Sequence, residues 1–381
     1  MLKQRPHDWI DTAAGLATLA AAVEKCHVIG LDTESDSFHH YQEQVCLIQI
    51  STKDRDFLLD TVAVKDLGPL GKLLADPGRE VIINGADYDV VCLKRDFGIT
   101  FGKIFDTSLS AQLLGYPATG LSALLERHFG VKVSKQYQRD EWFRRPLTPE
   151  QIDYALNDIR YLIPLKEKIS EELKALRRLE WAEEEFRILT RREWTRAPFS
   201  PDDFWRIRGS REIPRRDQAV LRELAVMRDA RAKGINRPPF KVISDNALKE
   251  IAHNKPKSTR GLRRIRGVSD LMIRRFGDEL IEGVRRGLEV PESELPHPPR
   301  GERKAGDPAV NRRLEKLKDW RGKKADEIDL DPGVLAPLNT LKAIARAAPR
   351  TITDLTDVSE ISRWRIREFG ADWLAVLNAK H

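Results

Sequence analysis

Acidic residues stand at spacings that could serve catalysis at two places in the chain. Asp32 and Glu34 follow an apolar run at i and i+2, and in an extended strand such side chains point to the same face. Two adjacent carboxylates repel each other unless a cation lies between them, so the pair is either a metal site or a solvated strand end. Tyr154 and Asp158 stand at i and i+4, on one face of a predicted helix, where a phenol could assist a carboxylate or simply pack in the core.

A third acidic position lies between Asn84 and Asp89, where a predicted strand turns into a helix. Asp87 or Asp89 could point inward, and the apolar residues that follow do not separate the two. The local pattern therefore leaves both open.

These acids are embedded in a segment of about 200 residues in which short strands alternate with helices, a pattern typical of a mixed α/β domain. The helix that carries Tyr154 begins at Thr148-Pro149-Glu150, a favourable order for a helix start. Four strands are predicted, at His27–Asp32, Val45–Ser51, Phe57–Asp60 and Val81–Ile83. One helix is predicted to end near Cys26, one to lie within Asp66 to Leu74, and two more to span Tyr88–Phe97 and Leu121–Phe129.

The second half of the chain is helical and repeats itself. An offset of 93 residues aligns Pro239 with Pro332 and the segment starting at Ile273 with that starting at Ile366, without a gap over about 60 residues. The proline-rich stretch between the copies, 291–308, reads as a linker. The predicted limits are 1–205 for the α/β domain, 212–290 for the first helical module and 309–381 for the second.

The charge is distributed unevenly among these parts. The net charge of +7 consists of −4 over residues 1–200, +9 over 201–290 and +2 over 291–381. A basic segment joined to an acidic one suggests that polyanion binding and chemistry reside in different domains, although basic surfaces are often only solubilising.

The 381-residue composition is that of a folded chain. No secretory signal or run long enough to cross a bilayer is visible. The three cysteines, Cys26, Cys46 and Cys92, lack a CxxC pair and are expected to be reduced. We therefore expect a cytoplasmic protein.

Three blocks of sequence together resemble the motifs of the DEDD 3′-5′ exonuclease family, tyrosine subgroup, in its ribonuclease D form. The helical repeats resemble the helicase-and-ribonuclease-D C-terminal (HRDC) module. The resemblance implies a multidomain chain, with an α/β ribonuclease-H-like 3′-5′ exonuclease domain followed by two all-α HRDC domains. The blocks run from Val28 to Glu34 with Cys46 to Ile50, from Asn84 to Asp89 with Leu93 to Thr107, and from Lys135 to Leu162.

By this resemblance, the protein is a metal-dependent 3′-5′ exoribonuclease that releases 5′-mononucleotides, with precursor tRNA as an expected substrate. We also expect a monomer. Two divalent ions, Mg²⁺ or Mn²⁺, are implied. Asp32, Glu34 and Asp158 would hold the first ion, Asp32 would bridge to the second, and Asp89, favoured over Asp87 by the alignment, would support the second. Tyr154 would orient or deprotonate the attacking water, and positioning is the preferred role because a free phenol has a pKa near ~10.

Residues expected to contact RNA flank the acidic motifs or lie in the first helical module. Phe38 and Tyr41 follow the first motif and could stack on a base. Lys135, Gln136 and Arg145 precede the tyrosine motif, where a cation could meet a phosphate. In the first module, eight cations within 21 residues, opposed by Asp270 alone, could follow the RNA backbone: Lys255, Lys257, Arg260, Arg263, Arg264, Arg266, Arg274 and Arg275.

Two other functions remain open at this stage. One is a 3′-5′ exonuclease acting on DNA, since the same acids serve both polymers. The other is a non-catalytic protein that binds RNA ends, which the presence of all four acids and the tyrosine argues against. A helicase is not supported, because the sequence contains no GxxxxGK[ST] phosphate loop.

Overall fold

The computed structural model describes residues 5–195, 197–298 and 307–379. They form two compact units, one within residues 1–35, 45–194 and 304–381 and the other within 36–44 and 195–303. Part of the predicted linker, 299–306, lies outside the described residues. The domain limits drawn from the sequence stay predictions. No helix in the described ranges combines the length and apolar character needed to cross a bilayer.

The first unit is built on a six-stranded mixed sheet of order β1-β4-β3-β2-β5-β6. The central strands β2, β3 and β4 are antiparallel neighbours, and the outer pairs β1–β4, β2–β5 and β5–β6 are parallel. Every residue of β3 and β4 is buried, as expected for strands covered on both faces. The strands are β1 (His7–Ile10), β2 (Val28–Ser35), β3 (Val45–Ser51), β4 (Asp56–Asp60), β5 (Glu80–Ile83) and β6 (Lys103–Asp106).

The apolar runs of the sequence predict the four inner strands but not β1 and β6. Both missed strands have four residues, too few to show a period, and their backbones are ordered by pairing with β4 and β5. The helices of this part of the chain are α1 (Ala13–Glu24), α2 (Gly68–Leu74), α3 (Asp87–Phe97), α4 (Thr107–Leu113), α5 (Leu121–Phe129), α6 (Pro149–Arg160), α7 (Leu162–Ala175) and α8 (Leu179–Leu189).

A glycine in β2 allows the junction of α6 and α7 to lie close to the sheet. A Cβ atom at Gly30 would lie 3.2 Å from the Leu162 side chain and 3.3 Å from the carbonyl oxygen of Ile159. Because no side chain intervenes, the last turn of α6 packs directly on the strand that carries the first acidic motif. Gly30 therefore helps to determine how closely Asp158 approaches Asp32.

The helical repeat is confirmed in detail. Ser258 and Thr351 cap equivalent short helices, and Lys255 and Ala348, also 93 positions apart, both end a helix in the left-handed conformation, with φ of 48°. The first copy contains α9 (Arg215–Gly234), α10 (Pro239–Val242), α11 (Asp245–Asn254), α12 (Thr259–Leu262) and α13 (Asp270–Glu289). The second contains α14 (Pro308–Glu327), α15 (Pro332–Leu335), α16 (Leu338–Ala347), α17 (Ile352–Thr356) and α18 (Arg363–Asn378). Two 3₁₀ turns, Pro201–Arg206 and Glu292–Glu294, flank the first copy.

The second helical module packs against α8 within the first unit. The Trp181 and Trp364 rings stack with centroids 4.4 Å apart and an interplanar angle of 15°. Glu185 accepts hydrogen bonds from the Trp364 indole and the Arg365 guanidinium, and Glu184 accepts from the first backbone N–H groups of α18. The carboxylate of Glu184 thus meets the positive end of a helix. This module is held to the α/β domain by an aromatic and ionic contact.

Candidate active site

The first two acids project from the same face of β2. Asp32 lies opposite Gln49 of β3 and Glu34 opposite Leu47, so the period of two places both carboxylates on one side of the sheet. The register shifts between Glu34 and Ser35, which ends the regular pairing directly after the second acid. Glu34 is buried and Asp32 is partly exposed.

Helix α6 lies over that face and carries the third acid. Its start is fixed by a capping box in which Thr148 accepts from the backbone of Gln151 and Gln151 bonds back to the backbone of Thr148. Asp158 then faces β2: carboxylate oxygens of Asp32, Glu34 and Asp158 all lie within 4.8 Å of one another. Three acids from two distant parts of the sequence therefore meet at one point.

Asp89 is the second-motif acid that the structure brings to this cluster. It is buried in the first turn of α3 and accepts a hydrogen bond from the Thr33 hydroxyl, between the two acids of β2. Asp87 is exposed and forms an ion pair with Arg192. Of the two aspartates that the sequence left open, only Asp89 lies beside the other acids, since its charge raises the pKa of Asp32 and Glu34.

The segment that leads into α3 is fixed by a buried aspartate. Asp106 accepts from the backbone N–H groups of Gly85 and Ala86, at 2.9 and 2.8 Å, and also caps the start of α4. Gly85 has a φ of +79°, which favours glycine at this turn. One carboxylate thus joins the end of β6 to the turn before α3, and it determines where Asp89 emerges.

The protonation of these acids is strongly perturbed. Burial, and then the charges of Asp158 and Asp89, raise the pKa of Asp32 and of Glu34 well above the ordinary carboxyl range. Burial raises the pKa of Asp89 to about 6, although the hydrogen bond from Thr33 acts in the opposite direction. Burial likewise raises the pKa of Asp158 to about 7, opposed by the hydrogen bond from Tyr154. Among the described residues, none of the four forms an ion pair with Lys, Arg or His.

Tyr154 lies one helical turn before Asp158. Burial, and then the charges of Asp158, Glu34 and Asp32, raise the pKa of the Tyr154 phenol well above its usual value. The hydroxyl therefore stays protonated in this environment and acts as a hydrogen-bond donor. Its ring packs against Trp142 and Tyr137, with centroids 5.9 and 6.1 Å away.

The donor set suits hard divalent cations. Magnesium and manganese favour carboxylate oxygens, and the cluster offers four carboxylates with no nitrogen or sulfur ligand among the residues described around it. Ionised carboxylates this close together are strongly unfavourable without a compensating positive charge. Asp32, Glu34, Asp89 and Asp158 therefore fit the residues expected to bind metal ions.

Arg145 is partly buried and bound within the fold. Its Nε and Nη2 donate to Asp60 at 2.7 Å each, and further hydrogen bonds run to the carbonyl oxygens of Cys46 and Trp142. This bidentate pair joins the segment before α6 to β4. The guanidinium is thus used in holding the fold together, and we do not carry Arg145 into the proposed RNA contacts.

The other residues expected to contact RNA lie mostly at the surface. Lys135 and Gln136 are exposed before α6. In the first helical module Lys255 pairs with Asp217 and Arg263 with Asp270. The remaining cations of this segment are exposed and have no acidic partner among the described residues: Lys257, Arg260, Arg264, Arg266, Arg274 and Arg275.

Three residues around the site were not singled out from the sequence. Thr33 donates to Asp89 and Asp106 fixes the turn before it. Gln49 is fully buried opposite Asp32, and its amide has no hydrogen-bond partner among the described residues. Gln49 could have been found from strand pairing, because it stands on the strand predicted to follow the first motif. Asp106 and Thr33 depend on tertiary contacts that no local pattern shows.

The mixed sheet, the four clustered acids and the tyrosine define a 3′-5′ exonuclease of the DEDD type, and comparison with known proteins agrees. The 3′-5′ exonuclease family matches residues 7–174, and the HRDC domain family matches 217–284 and 310–377.

The particular family follows from relatives of similar length. A ribonuclease D of Jannaschia sp. is 30% identical over 387 residues, which cover 98% of this chain and 96% of the relative. Ribonuclease D of Desulfotalea psychrophila is 29% identical over 369 residues, covering 96% and 97%. The Escherichia coli RNase D structure, described as an exoribonuclease involved in structured RNA processing, matches with a TM-score of 0.69 at 26% identity, covering 97% of this chain and 98% of that one.

The chain belongs to the ribonuclease D family. It is a metal-dependent 3′-5′ exoribonuclease that hydrolyses RNA.

Proposed function

We propose that the protein removes 5′-mononucleotides from RNA 3′ ends through hydrolysis at the cluster of Asp32, Glu34, Asp89 and Asp158, with two divalent ions, Mg²⁺ or Mn²⁺. The observation that carries the proposal is the meeting of four carboxylates that burial and mutual repulsion make difficult to ionise unless positive charge is added. Divalent ions bound there would polarise the phosphodiester and lower the pKa of a bound water.

The carboxylates divide into two sets by position. Asp32, Glu34 and Asp158 form the tight group, whose oxygens suit one ion, and Asp89 stands beside them as a ligand for the second. Thr33 orients Asp89 by donating to its carboxylate. The four acids are thus held by three elements, β2, α3 and α6, which limits reorganisation during the reaction.

Tyr154 is assigned to positioning the attacking water. Burial and the surrounding acids raise its pKa, so the phenolate that a general base would require is scarcer here than in free solution. As a protonated donor beside Asp158, it can instead hold the water oxygen in line with the phosphorus atom. Tyr154→Phe should therefore lower kcat more than it weakens RNA binding.

RNA would be held by cations in two places. Lys135 and Gln136 are exposed in the segment before α6 and are proposed to meet the RNA backbone. The basic surface of the first helical module, which contains Lys257, Arg260 and Arg264 along with Lys255 and Arg263, is proposed to follow the upstream strand. The second module, held against α8, is assigned to stabilising the catalytic domain.

Structured RNA with a single-stranded 3′ end, such as a tRNA precursor, is the proposed substrate class, because the similar Escherichia coli protein is described as acting in structured RNA processing. A monomer in the cytoplasm is proposed with it. In support of that compartment, the cysteines in the described chain form no disulfide.

The testing experiment follows 5′-labelled single-stranded RNA over time with no divalent ion, with Mg²⁺ and with Mn²⁺. Wild type should give a ladder that shortens from the 3′ end only when a metal is present, and Asp32→Asn should not. Asp153→Asn, which changes an exposed acid on α6, serves as the matched control and should match wild type. A ladder on the DNA analogue but none on RNA would favour the deoxyribonuclease alternative. Tight binding without shortening of either polymer would favour a binding protein.

A further inference from the structure

Two phenylalanine rings are exposed side by side in the second compact unit. Phe38, in the loop 36–44, is 41% exposed, and Phe240, in α10, is 53% exposed. Their centroids lie 6.4 Å apart with an interplanar angle of 70°. Single exposed apolar residues are common on protein surfaces, but two adjacent aromatic rings form a patch to which a ligand can bind.

The loop that carries Phe38 is anchored to the first helical module. The Tyr41 hydroxyl donates to Asp229 at 2.7 Å, and the Tyr41 backbone N–H donates to Asn236 at 3.1 Å. Within the loop, Asp36 accepts from the backbone of Gln44 at 2.7 Å. Tyr41 is therefore an anchor, and its anchoring holds Phe38 beside Phe240. An aromatic pair fixed in this way loses little entropy when it binds a ligand.

Cations flank the rings. Arg237 and Lys241 are exposed and stand on either side of Phe240 in the sequence. Arg237 lies 3.4 Å from the carbonyl oxygen of His39 in the loop, and the Lys241 ammonium lies 3.2 Å from the Nδ1 atom of His39. Lys233 is also exposed, at the end of α9. The nearby carboxylate of Asp229 is occupied by the Tyr41 hydroxyl. Aromatic rings bordered by positive charge are the combination by which proteins bind single-stranded nucleic acid.

We propose that Phe38 and Phe240 form a stacking site for one nucleobase of the single-stranded RNA substrate, and that Arg237 and Lys241 contact the adjoining phosphates. The inference rests on the exoribonuclease function and adds a site outside the catalytic acids. Phe38 follows Glu34 by four residues in the sequence, so we expect the bound base to belong to the 3′ segment of the RNA. The site holds this segment while the terminal nucleotide is removed.

The charge of the surroundings selects RNA over a protein partner as the occupant. Lysine is depleted at protein–protein interfaces, whereas Lys241 lies next to Phe240 in the sequence and reaches the loop that carries Phe38, as Arg237 also does. Every nucleobase has a face that can stack on an aromatic ring, so the site is expected to tolerate any sequence. The test below distinguishes binding of RNA at this patch from binding of a protein.

The test measures binding of fluorescent single-stranded RNA by anisotropy in EDTA, where no hydrolysis occurs and the result does not depend on the metal chemistry. Phe240→Leu keeps an apolar side chain but removes the stacking face. It should raise the dissociation constant for RNA about 5- to 150-fold. Phe240→Trp should bind at least as tightly as wild type. Leu288→Ala, which truncates an exposed side chain of α13, is the matched control and should bind like wild type.

A set of RNAs that each lack one base, scanned along the 3′ segment, locates the stacked nucleotide. Wild type should lose affinity for the RNA that lacks the base at one position, and Phe240→Leu should show no additional loss on that RNA. Equal binding of intact RNA by Phe240→Leu and wild type overturns the proposal, and so does a loss that is the same for every abasic RNA. If Phe240→Leu leaves RNA binding unchanged but abolishes capture of a protein, the patch is a protein-docking surface and the inference is wrong.

Discussion

Neutralising one acid of the cluster should make the metal-free protein more stable, although it removes activity. Burial raises the pKa of Asp158 from 3.8 to about 7, a shift of roughly three units at 1.36 kcal/mol each, or about 4 kcal/mol. Asp158→Asn removes this penalty and keeps an oxygen that can accept from Tyr154. Because the amide must still be buried, we expect a gain of about 2–4 kcal/mol in the free energy of unfolding at pH 8.

The pH dependence follows from the direction of the shift. An acid with a raised folded-state pKa leaves the folded protein with more bound protons than the unfolded chain between pH 4 and 7. The stability of wild type in EDTA should therefore fall as pH rises through that window. The variant lacks this contribution from Asp158, so the difference between the two proteins should be near zero at pH 4 and largest at pH 8.

The assay is urea denaturation in EDTA across this pH range, repeated with Mg²⁺ or Mn²⁺. Metal should stabilise wild type in proportion to the logarithm of its concentration and should stabilise Asp158→Asn much less. Asp153→Asn, an exposed change on the same helix, should stay within about 0.5 kcal/mol of wild type. If Asp158→Asn is equally stable or less stable than wild type at pH 8 in EDTA, burying the ionised Asp158 carboxylate does not carry the cost worked out above.

Three further outcomes follow from the structure. Gln49→Met should raise the melting temperature, with a gain of about 1–3 kcal/mol, because it replaces a buried amide for which the described part of the chain offers no hydrogen-bond partner. A lower melting temperature would show that the amide is satisfied in solution. Arg145→Met should lower the free energy of unfolding by about 3–5 kcal/mol, because it leaves the buried Asp60 without its cation. Adding Asp60→Asn to that variant should restore part of the loss. A loss below about 1 kcal/mol would instead indicate that the pair behaves as a surface ion pair. Arg264→Gln should weaken binding to all RNA sequences alike. A salt titration should show that the slope of the logarithm of the binding constant against the logarithm of salt concentration becomes shallower by about 0.7. An unchanged slope would show that Arg264 does not contact an RNA phosphate.

Much of the architecture could be read from the sequence because it depends on local patterns. The inner strands are apolar runs, α6 begins with Thr, Pro and Glu in a capping order, and the helical repeat keeps the same caps 93 residues apart. Such signals follow from side chains and backbone within a few residues of each other. The missed strands β1 and β6 lack a local signal, because they are short and are ordered only by their neighbours in the sheet.

The same distinction applies to the candidate site. The spacing of Asp32 with Glu34, and of Tyr154 with Asp158, is a property of one strand and one helix, so the sequence predicts which side chains share a face. The choice between Asp87 and Asp89 depends on how α3 packs, and only the fold shows that Arg192 pairs with the first and Thr33 with the second. The sequence likewise predicts an RNA contact for Arg145, whereas in the fold Arg145 pairs with Asp60, 85 residues away.

The sequence by itself determined the residue types, their periodicity, the duplicated module and the division of charge, since all of these are local or compositional. Only the tertiary structure decided the distances and the burial. The raised pKa values of Asp32, Glu34 and Asp158 arise because α6, which begins 114 residues after the end of β2, packs on the sheet and limits the access of water to these three carboxylates. Long-range packing converts four ordinary acids into a site that requires positive charge, and no local pattern contains that information.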